Sequence, residues 1–242
     1  MTLGKNSMKS SLKQANNKKN NQKSTKLKDS KTSFSPLLKP LRVIGGKHKG
    51  LKLYAPKVAR PSKSILKESC FNILSNAIAD KIFIEAFAGS GAMGIESLSR
   101  GAKKAVFFEQ DKEALEVLAK NLALLSRHKT GQNNPQNTFQ SNYQIISGDS
   151  LQNLPPFLAK LKESSILYID PPFFIRQNYA DIYEKCANII AHINSQALQL
   201  VILEHSSLYE FSERLGDFTK TKYRKFGKSA LTFFTHILHN NT

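Results

Sequence analysis

The stretch Ile84-Glu85-Ala86-Phe87-Ala88-Gly89-Ser90-Gly91-Ala92-Met93-Gly94 decides the reading of this chain. Gly89, Gly91 and Gly94 spell G-x-G-x-x-G, a pattern whose meaning depends on its flanks. Ile82–Phe87 before it is a short apolar run fit for a buried strand, and Gly91–Arg100 after it has helical character. Glycines in such a strand-to-helix turn allow a tight bend and let backbone N–H groups approach a ligand. Glu109 closes the next apolar run, Ala105–Glu109, where a carboxylate can accept hydrogen bonds from ribose hydroxyls. Together these features point to an adenosine-containing cofactor and leave its identity open. A dinucleotide lays its pyrophosphate over the glycines, S-adenosyl-L-methionine lays its methionine end there, and a purely structural glycine turn needs neither.

Outward from this turn, strand-like and helical runs alternate. Asp111–Leu125 spaces Ala114, Val117, Leu118, Asn121 and Leu122 along one helical face. Tyr143–Ser147, Ile166–Asp170 and Leu198–Glu204 read as strands, with helices near 151–162 and 178–193 between them. Lys222–Phe226 and Leu231–Leu238 lie close enough in sequence to form an antiparallel pair. On the N-terminal side, Pro61 opens a helix with Leu66, Cys70, Ile73 or Leu74, and Ala77 on one face. Arg42–Tyr54 reads as two short strands around a glycine-rich turn. Repeated strand–helix units with apolar strands predict an α/β fold, a mainly parallel sheet covered on both faces with an antiparallel edge. Ligands in such folds bind at the carboxyl ends of the strands.

A second motif sits at one of those ends. Ile166-Leu167-Tyr168-Ile169-Asp170-Pro171-Pro172-Phe173 puts an acid, two prolines and an aromatic after a strand. Each proline keeps the residue before it out of helical geometry and has no N–H of its own. The product is a stiff lip offering the Asp170 carboxylate, the Pro171 carbonyl and the Phe173 ring: two acceptors for the two N–H groups of a planar amine, and a stacking surface. A proline-capped strand end would explain the prolines alone, but not their company with the glycine turn and Glu109. The pairing selects S-adenosyl-L-methionine over a dinucleotide.

Composition sets the partner. The chain has 242 residues, 40% of them apolar, enough for one large domain. Lys and Arg number 36 against 18 Asp and Glu, a formal charge of +18 that fits a polyanionic partner. Residues 1–40 carry ten Lys and one acid, Asp29, among Asn, Ser, Gln and Thr. That segment is expected to be a disordered tail, either solubilising or acting as an electrostatic arm for nucleic acid. Residues 41–242 then form the domain, with a hairpin extension at 41–57 and the core from 60. Lys129–Ser141 reads as a polar loop insertion. The two cysteines, Cys70 and Cys186, lie far apart in helical patterns, which speaks against a disulfide framework or zinc site and for a cytoplasmic core role. His236 and His239 lack other ligand types nearby, so no metal is expected. No run approaches the ~18 apolar residues of a membrane span, and the basic N-terminus lacks a signal peptide's apolar core.

The pairing of F-A-G-S-G with D-P-P-F resembles the S-adenosylmethionine-dependent amino-methyltransferases, and more narrowly the bacterial 16S ribosomal RNA guanine-N2 methyltransferases. The resemblance covers about residues 41–238 and rests also on R-V-I-G-G-K-H-K-G-L-K-L (42–53), R-P-S-K-S-I-L-K-E-S-C-F-N (60–72), the run 87–102, and F-E-Q-D (108–111). It implies a Rossmann-like seven-stranded sheet preceded by a small β-hairpin, and methyl transfer to N2 of a guanine in 16S rRNA or the assembling 30S subunit, by a monomer. It further implies Gly89, Gly91 and the backbone of Phe87 and Ala88 at the methionine end of the cofactor, Glu85 near its ammonium group, Glu109 at its ribose, Asp149 at its adenine amine, and Asp170, Pro171 and Phe173 at the reacting nitrogen. RNA contacts are expected from Arg42, Lys47, His48, Lys49, Lys52 and Arg60; a merely solvated basic face is the plain alternative. Glu85 stands where the family commonly has Asp, and Ser62, Ser64 and Lys67 replace Thr, Asp and Arg. Rival readings are a DNA or release-factor-glutamine methyltransferase, a nicotinamide-dependent oxidoreductase, and a non-catalytic RNA-binding module.

Overall fold

The computed structural model describes residues 41–55, 63–128, 142–172 and 181–237. The expectations for residues 1–40, Arg60, the 129–141 insertion, Phe173 and His239 concern positions outside that set.

Two short strands come first, β1 (Leu41–Arg42) and β2 (Lys52–Leu53). Five parallel strands follow: β3 (Ile82–Ala86), β4 (Lys104–Glu109), β5 (Tyr143–Ser147), β6 (Ser165–Ile169) and β7 (Leu198–Ser206). The chain ends in β8 (Arg214–Leu215), β9 (Phe218–Phe226) and β10 (Ser229–His236). The main sheet runs β5-β4-β3-β6-β7-β10-β9-β8, with β10 antiparallel to both β7 and β9. The seven expected strands are therefore joined by a two-residue eighth, which pairs only with the start of β9. Five helices flank the strands: α1 (Lys63–Leu74), α2 (Ala92–Ser99), α3 (Lys112–His128), α4 (Ser150–Leu158) and α5 (Ile182–Ala191).

Burial follows position in the sheet. Every residue of β3 and of β6 is buried, as strands covered on both faces must be, whereas β5 at the edge is only half-buried. On one face Ile84, Leu167 and Leu203 pack with Leu154 and Leu158 of α4 and Ile182, Cys186 and Ile190 of α5. On the other, Phe83, Tyr168 and Ile202 meet Leu66, Cys70, Phe71 and Leu74 of α1. Further along, Ile95 and Leu98 of α2 and Leu118, Leu122 and Leu125 of α3 close over Phe107.

The β1–β2 hairpin is held to the core by polar contacts as well as by Val43 and Leu53. The Glu96 carboxylate, wholly buried on α2, accepts hydrogen bonds from the backbone N–H of Ile44 and of Gly45, both at 2.8 Å. Arg100 Nε lies 2.8 Å and Lys67 Nζ 3.3 Å from the same group, and Lys67 also donates to the Arg42 carbonyl. Lys67 thus keeps a buried cation at the position where the related pattern has Arg. The glycines are there for space: a Cβ on Gly46 would lie 1.9 Å from the Ser99 carbonyl oxygen. Ser99 Oγ completes the clasp, donating to the Gly45 carbonyl and accepting from His48 N–H. One expectation is corrected here. The His48 side chain is only 1% exposed, because the turn carrying it faces α2, so its ring serves docking and cannot be presented to a phosphate. Arg42, Lys47, Lys49 and Lys52 are exposed.

Candidate active site

From β3 the chain steps outward through β4 to β5, then returns to the other side of β3 and continues through β6 to β7. β3 and β6 are adjacent, and their connections leave in opposite directions, which opens a crevice at their carboxyl ends. The two sequence motifs are the segments that follow these two strands. Asp170 N–H, just past β6, donates to the Ala86 carbonyl at the end of β3 over 3.4 Å.

The glycines of the first motif have different duties. A Cβ on Gly91 would meet Leu118 at 2.3 Å and one on Gly94 would meet Phe107 at 2.3 Å, so these two let α2 pack closely. Gly89 has φ +53° and open space where its Cβ would be. It alone of the three leaves the room a ligand lying against the backbone requires. Phe87 is left-handed as well, at φ +58°, a conformation costing a non-glycine residue about 1–2 kcal/mol. Its N–H is 3.3 Å from Ser150 Oγ, and the next N–H, of Ala88, donates to the Phe108 carbonyl at 2.9 Å. The loop is therefore pinned on both sides to the strand ends around it.

Three carboxylates surround the loop, all used by backbone N–H groups. Glu85, buried, accepts from Gly94 N–H at 2.8 Å and Met93 N–H at 3.3 Å and so anchors the start of α2. Glu109 accepts from Gly89 N–H at 2.6 Å with one oxygen, and from Gln110 and Asp111 N–H at 2.8 and 2.9 Å with the other. A carboxylate has about four acceptor positions, so Glu109 retains capacity for one ribose hydroxyl. Asp149 caps α4, its Oδ1 accepting from Leu151 N–H at 2.8 Å.

Past β6, Asp170 is half-buried and Pro171 buried. Behind this lip Tyr168 donates a hydrogen bond to Glu204, both side chains at most 2% exposed. Burial first, and the Glu204 charge second, push the Tyr168 phenol well above its ordinary range and keep it a neutral donor. Tyr183 OH accepts from Ser206 N–H at 3.0 Å and fixes the end of β7. Ser150 and Asn121 were not among the expected site residues. Asn121 is the polar member of an otherwise apolar face of α3, and that was its sequence signal: fully buried, it binds both Tyr54 N–H and the Ser90 carbonyl, tying the hairpin to the glycine loop. Burial raises the thiols of Cys70 and, to about 12, Cys186, leaving both as core residues. Among the described residues no group of His, Cys, Asp and Glu is placed to hold a metal ion, and no helix is long and apolar enough to cross a membrane.

A doubly covered sheet in this strand order, with a glycine turn after β3 and an acid at the end of β4, defines the Rossmann-like fold of S-adenosylmethionine-dependent methyltransferases. Within that class, the chain belongs to the family described as Conserved hypothetical protein 95, whose model matches residues 41–235. The ribosomal RNA small subunit methyltransferase D of Escherichia coli is 36% identical over 136 residues, which are 55% of this chain and 60% of that protein. Its Haemophilus influenzae namesake is 33% identical over 150 residues, covering 61% of this chain and 72% of the relative. The solved structure of the Escherichia coli protein yhhF, assigned as a methyltransferase, superposes with a TM-score of 0.62 at 28% identity, covering 82% of this chain and 98% of the other.

Proposed function

We propose that this protein transfers a methyl group from S-adenosyl-L-methionine to the exocyclic N2 of a guanine in 16S ribosomal RNA. The observation that carries the reading is the meeting of the two motifs at one crevice, where Asp170 N–H bonds to the end of β3. Gly89 leaves open space, Glu109 keeps an acceptor for a ribose hydroxyl, and Asp149 stands at the end of β5 for the adenine. When bound there, the cofactor supplies an electrophilic methyl on a sulfonium centre.

The residues of the chain address the acceptor. The N2 lone pair of guanine is delocalised into the ring and is a poor nucleophile. Hydrogen bonds from its two N–H groups to the Asp170 carboxylate and the Pro171 carbonyl favour a pyramidal, electron-rich nitrogen. As positive charge develops on that nitrogen, Asp170 stabilises it, a contribution worth ~10²–10³ in rate for a single such group. Phe173 then stacks on the base, which must leave its own stack to reach the lip. Ribosomal RNA as substrate rests on the names of the relatives and on the +18 charge of the chain.

The test is Asp170→Ala. Calorimetry is expected to find cofactor uptake unchanged while labelled methyl transfer to 30S particles or naked 16S rRNA falls ~10²–10³-fold. Near-normal turnover refutes the role of Asp170. Label appearing only in DNA or release factor replaces RNA as the acceptor.

A further inference from the structure

We propose that β9 and the β9–β10 turn form a second RNA-binding surface, in which Lys222, Arg224, Lys225 and Lys228 hold phosphates and Tyr223 stacks a base beside the reacting nucleotide. The inference rests on the reading of the chain as an RNA methyltransferase and adds where the RNA leaves the site.

Thr219–Lys228 holds five cations and no carboxylate. Lys220 is paired with Glu213 at 2.6 Å, but among the described residues no carboxylate forms an ion pair with the other four. All four are exposed. Along β9, Lys222 and Arg224 lie on the α1 face and Tyr223 and Lys225 on the opposite face. Tyr223 shows 42% of its surface, one of three large hydrophobic side chains so exposed among the described residues. Cations interleaved with an exposed ring are what a single-stranded polyanion with stackable bases requires.

The topology puts this surface at the reacting end. β10 is antiparallel to both β7 and β9, so β9 runs with β7 and finishes at the same carboxyl end as Glu204 and Ser206. Ser207 fastens the end of β7 to the turn, its N–H donating to the Lys228 carbonyl and its hydroxyl to the Gly227 carbonyl, both at 2.9 Å. From β6, which ends in the Asp170 lip, to β9 is three strand spacings, about 15 Å. Beside Tyr223 lies a cavity of about 450 Å³ lined by His205, Tyr209, Phe211 and Lys220 and by the acidic Glu210 and Glu213. That volume falls within the roughly 300–1,000 Å³ of small-ligand sites.

β9 is also nearly an edge strand, since β8 covers only its first two residues, and exposed lysines commonly guard such edges against pairing with another chain. The two roles separate under charge reversal, because glutamates guard an edge as well as lysines do but repel phosphate. The experiment compares the full chain with a variant carrying Lys222→Glu, Arg224→Glu, Lys225→Glu and Lys228→Glu. Binding to protein-free 16S rRNA is measured between about 50 and 200 mM salt. The variant is expected to stay monodisperse and take up cofactor normally, to lose at least roughly tenfold in affinity, and to show a log–log salt slope shallower by about 3, from ~0.7–0.9 per lost contact. Tyr223→Ala is expected to weaken binding by roughly 5- to 150-fold. If the Glu variant does not fold, the same four positions changed to Gln carry the slope test. Unchanged slope and affinity overturn the surface, as does a wild-type chain that binds no rRNA. A wild-type chain that binds rRNA with the steep slope but transfers no methyl group sinks the proposed reaction and leaves the surface standing.

Discussion

The chain has two cation-rich hairpins, residues 42–53 and 218–229, and the structure treats them differently. In the first, the backbone and the His48 ring turn inward while the other cationic positions stay exposed: His48 is buried, Gly46 lies against Ser99, and the Glu96 carboxylate grips the peptide N–H groups. In the second, the peptide groups are absorbed by β10 and the cations of the last turns project into solvent. Both hairpins expose their cations; what differs is what holds the backbone, a buried carboxylate in the first and β10 in the second.

The largest effect is expected from Glu96→Gln. Burial lowers the ammonium pKa of Lys67 and the neighbouring Glu96 charge opposes that shift, so removing the carboxylate leaves a buried cation without its main partner. Breaking such a pair costs about 3–5 kcal/mol. Urea unfolding is expected to show that loss, with the hairpin amides of Ile44 and Gly45 among the first to exchange. A loss below 1 kcal/mol, or unchanged protection there, would mean that Val43 and Leu53 alone hold the hairpin. Next comes the triple change of Lys47, Lys49 and Lys52, all three exposed, to Gln. If they touch phosphate, the salt slope of rRNA binding drops by about 2–3. A slope that stays put removes these three lysines from the RNA contact.

The sheet was legible because its strands alternate with helices and its central strands are continuously apolar; Tyr143–Ser147 matches β5 at both ends. Both motifs were legible for the same reason, each following a buried strand. What the sequence could not show is which polar atoms are already committed. Glu85 reads as a ligand group, yet its oxygens serve Met93 and Gly94, and Glu109 has about one acceptor position left. The I-G-G of the first hairpin reads as a turn, whereas its requirement is a carbonyl on α2, more than fifty residues away. The basic run of β9 was visible as composition, but its meaning depends on β9 running parallel to β7, which only the pairing through β10 establishes.

The smallest effect tests the ground beneath the second hairpin. His205 is fully buried, with Nδ1 2.9 Å from the Ser206 carbonyl and Nε2 2.7 Å from Thr232 Oγ1. A carbonyl only accepts, so Nδ1 carries the proton and Nε2 accepts from the hydroxyl. Burial lowers the pKa of this ring, and the Lys220 charge on β9 acts in the same direction against the hydrogen bonds that favour the cation. Tyr183, Phe211 and Tyr223 supply rings around it, and Tyr209 supplies a ring and a backbone hydrogen bond that favours the cation. Above pH ~6.5 both folded and unfolded chains hold this histidine neutral and it contributes no pH dependence. As pH falls through ~6.5 the unfolded chain takes the proton while the native ring resists, so stability declines by at most about 1.4 kcal/mol per unit until the native ring protonates too. His205→Gln, which preserves a donor and an acceptor, is expected to flatten that part of the urea-midpoint profile between about pH 7 and 5.5. An identical decline in the variant would place the acid sensitivity elsewhere and leave β9 resting on a ring that titrates like any other histidine.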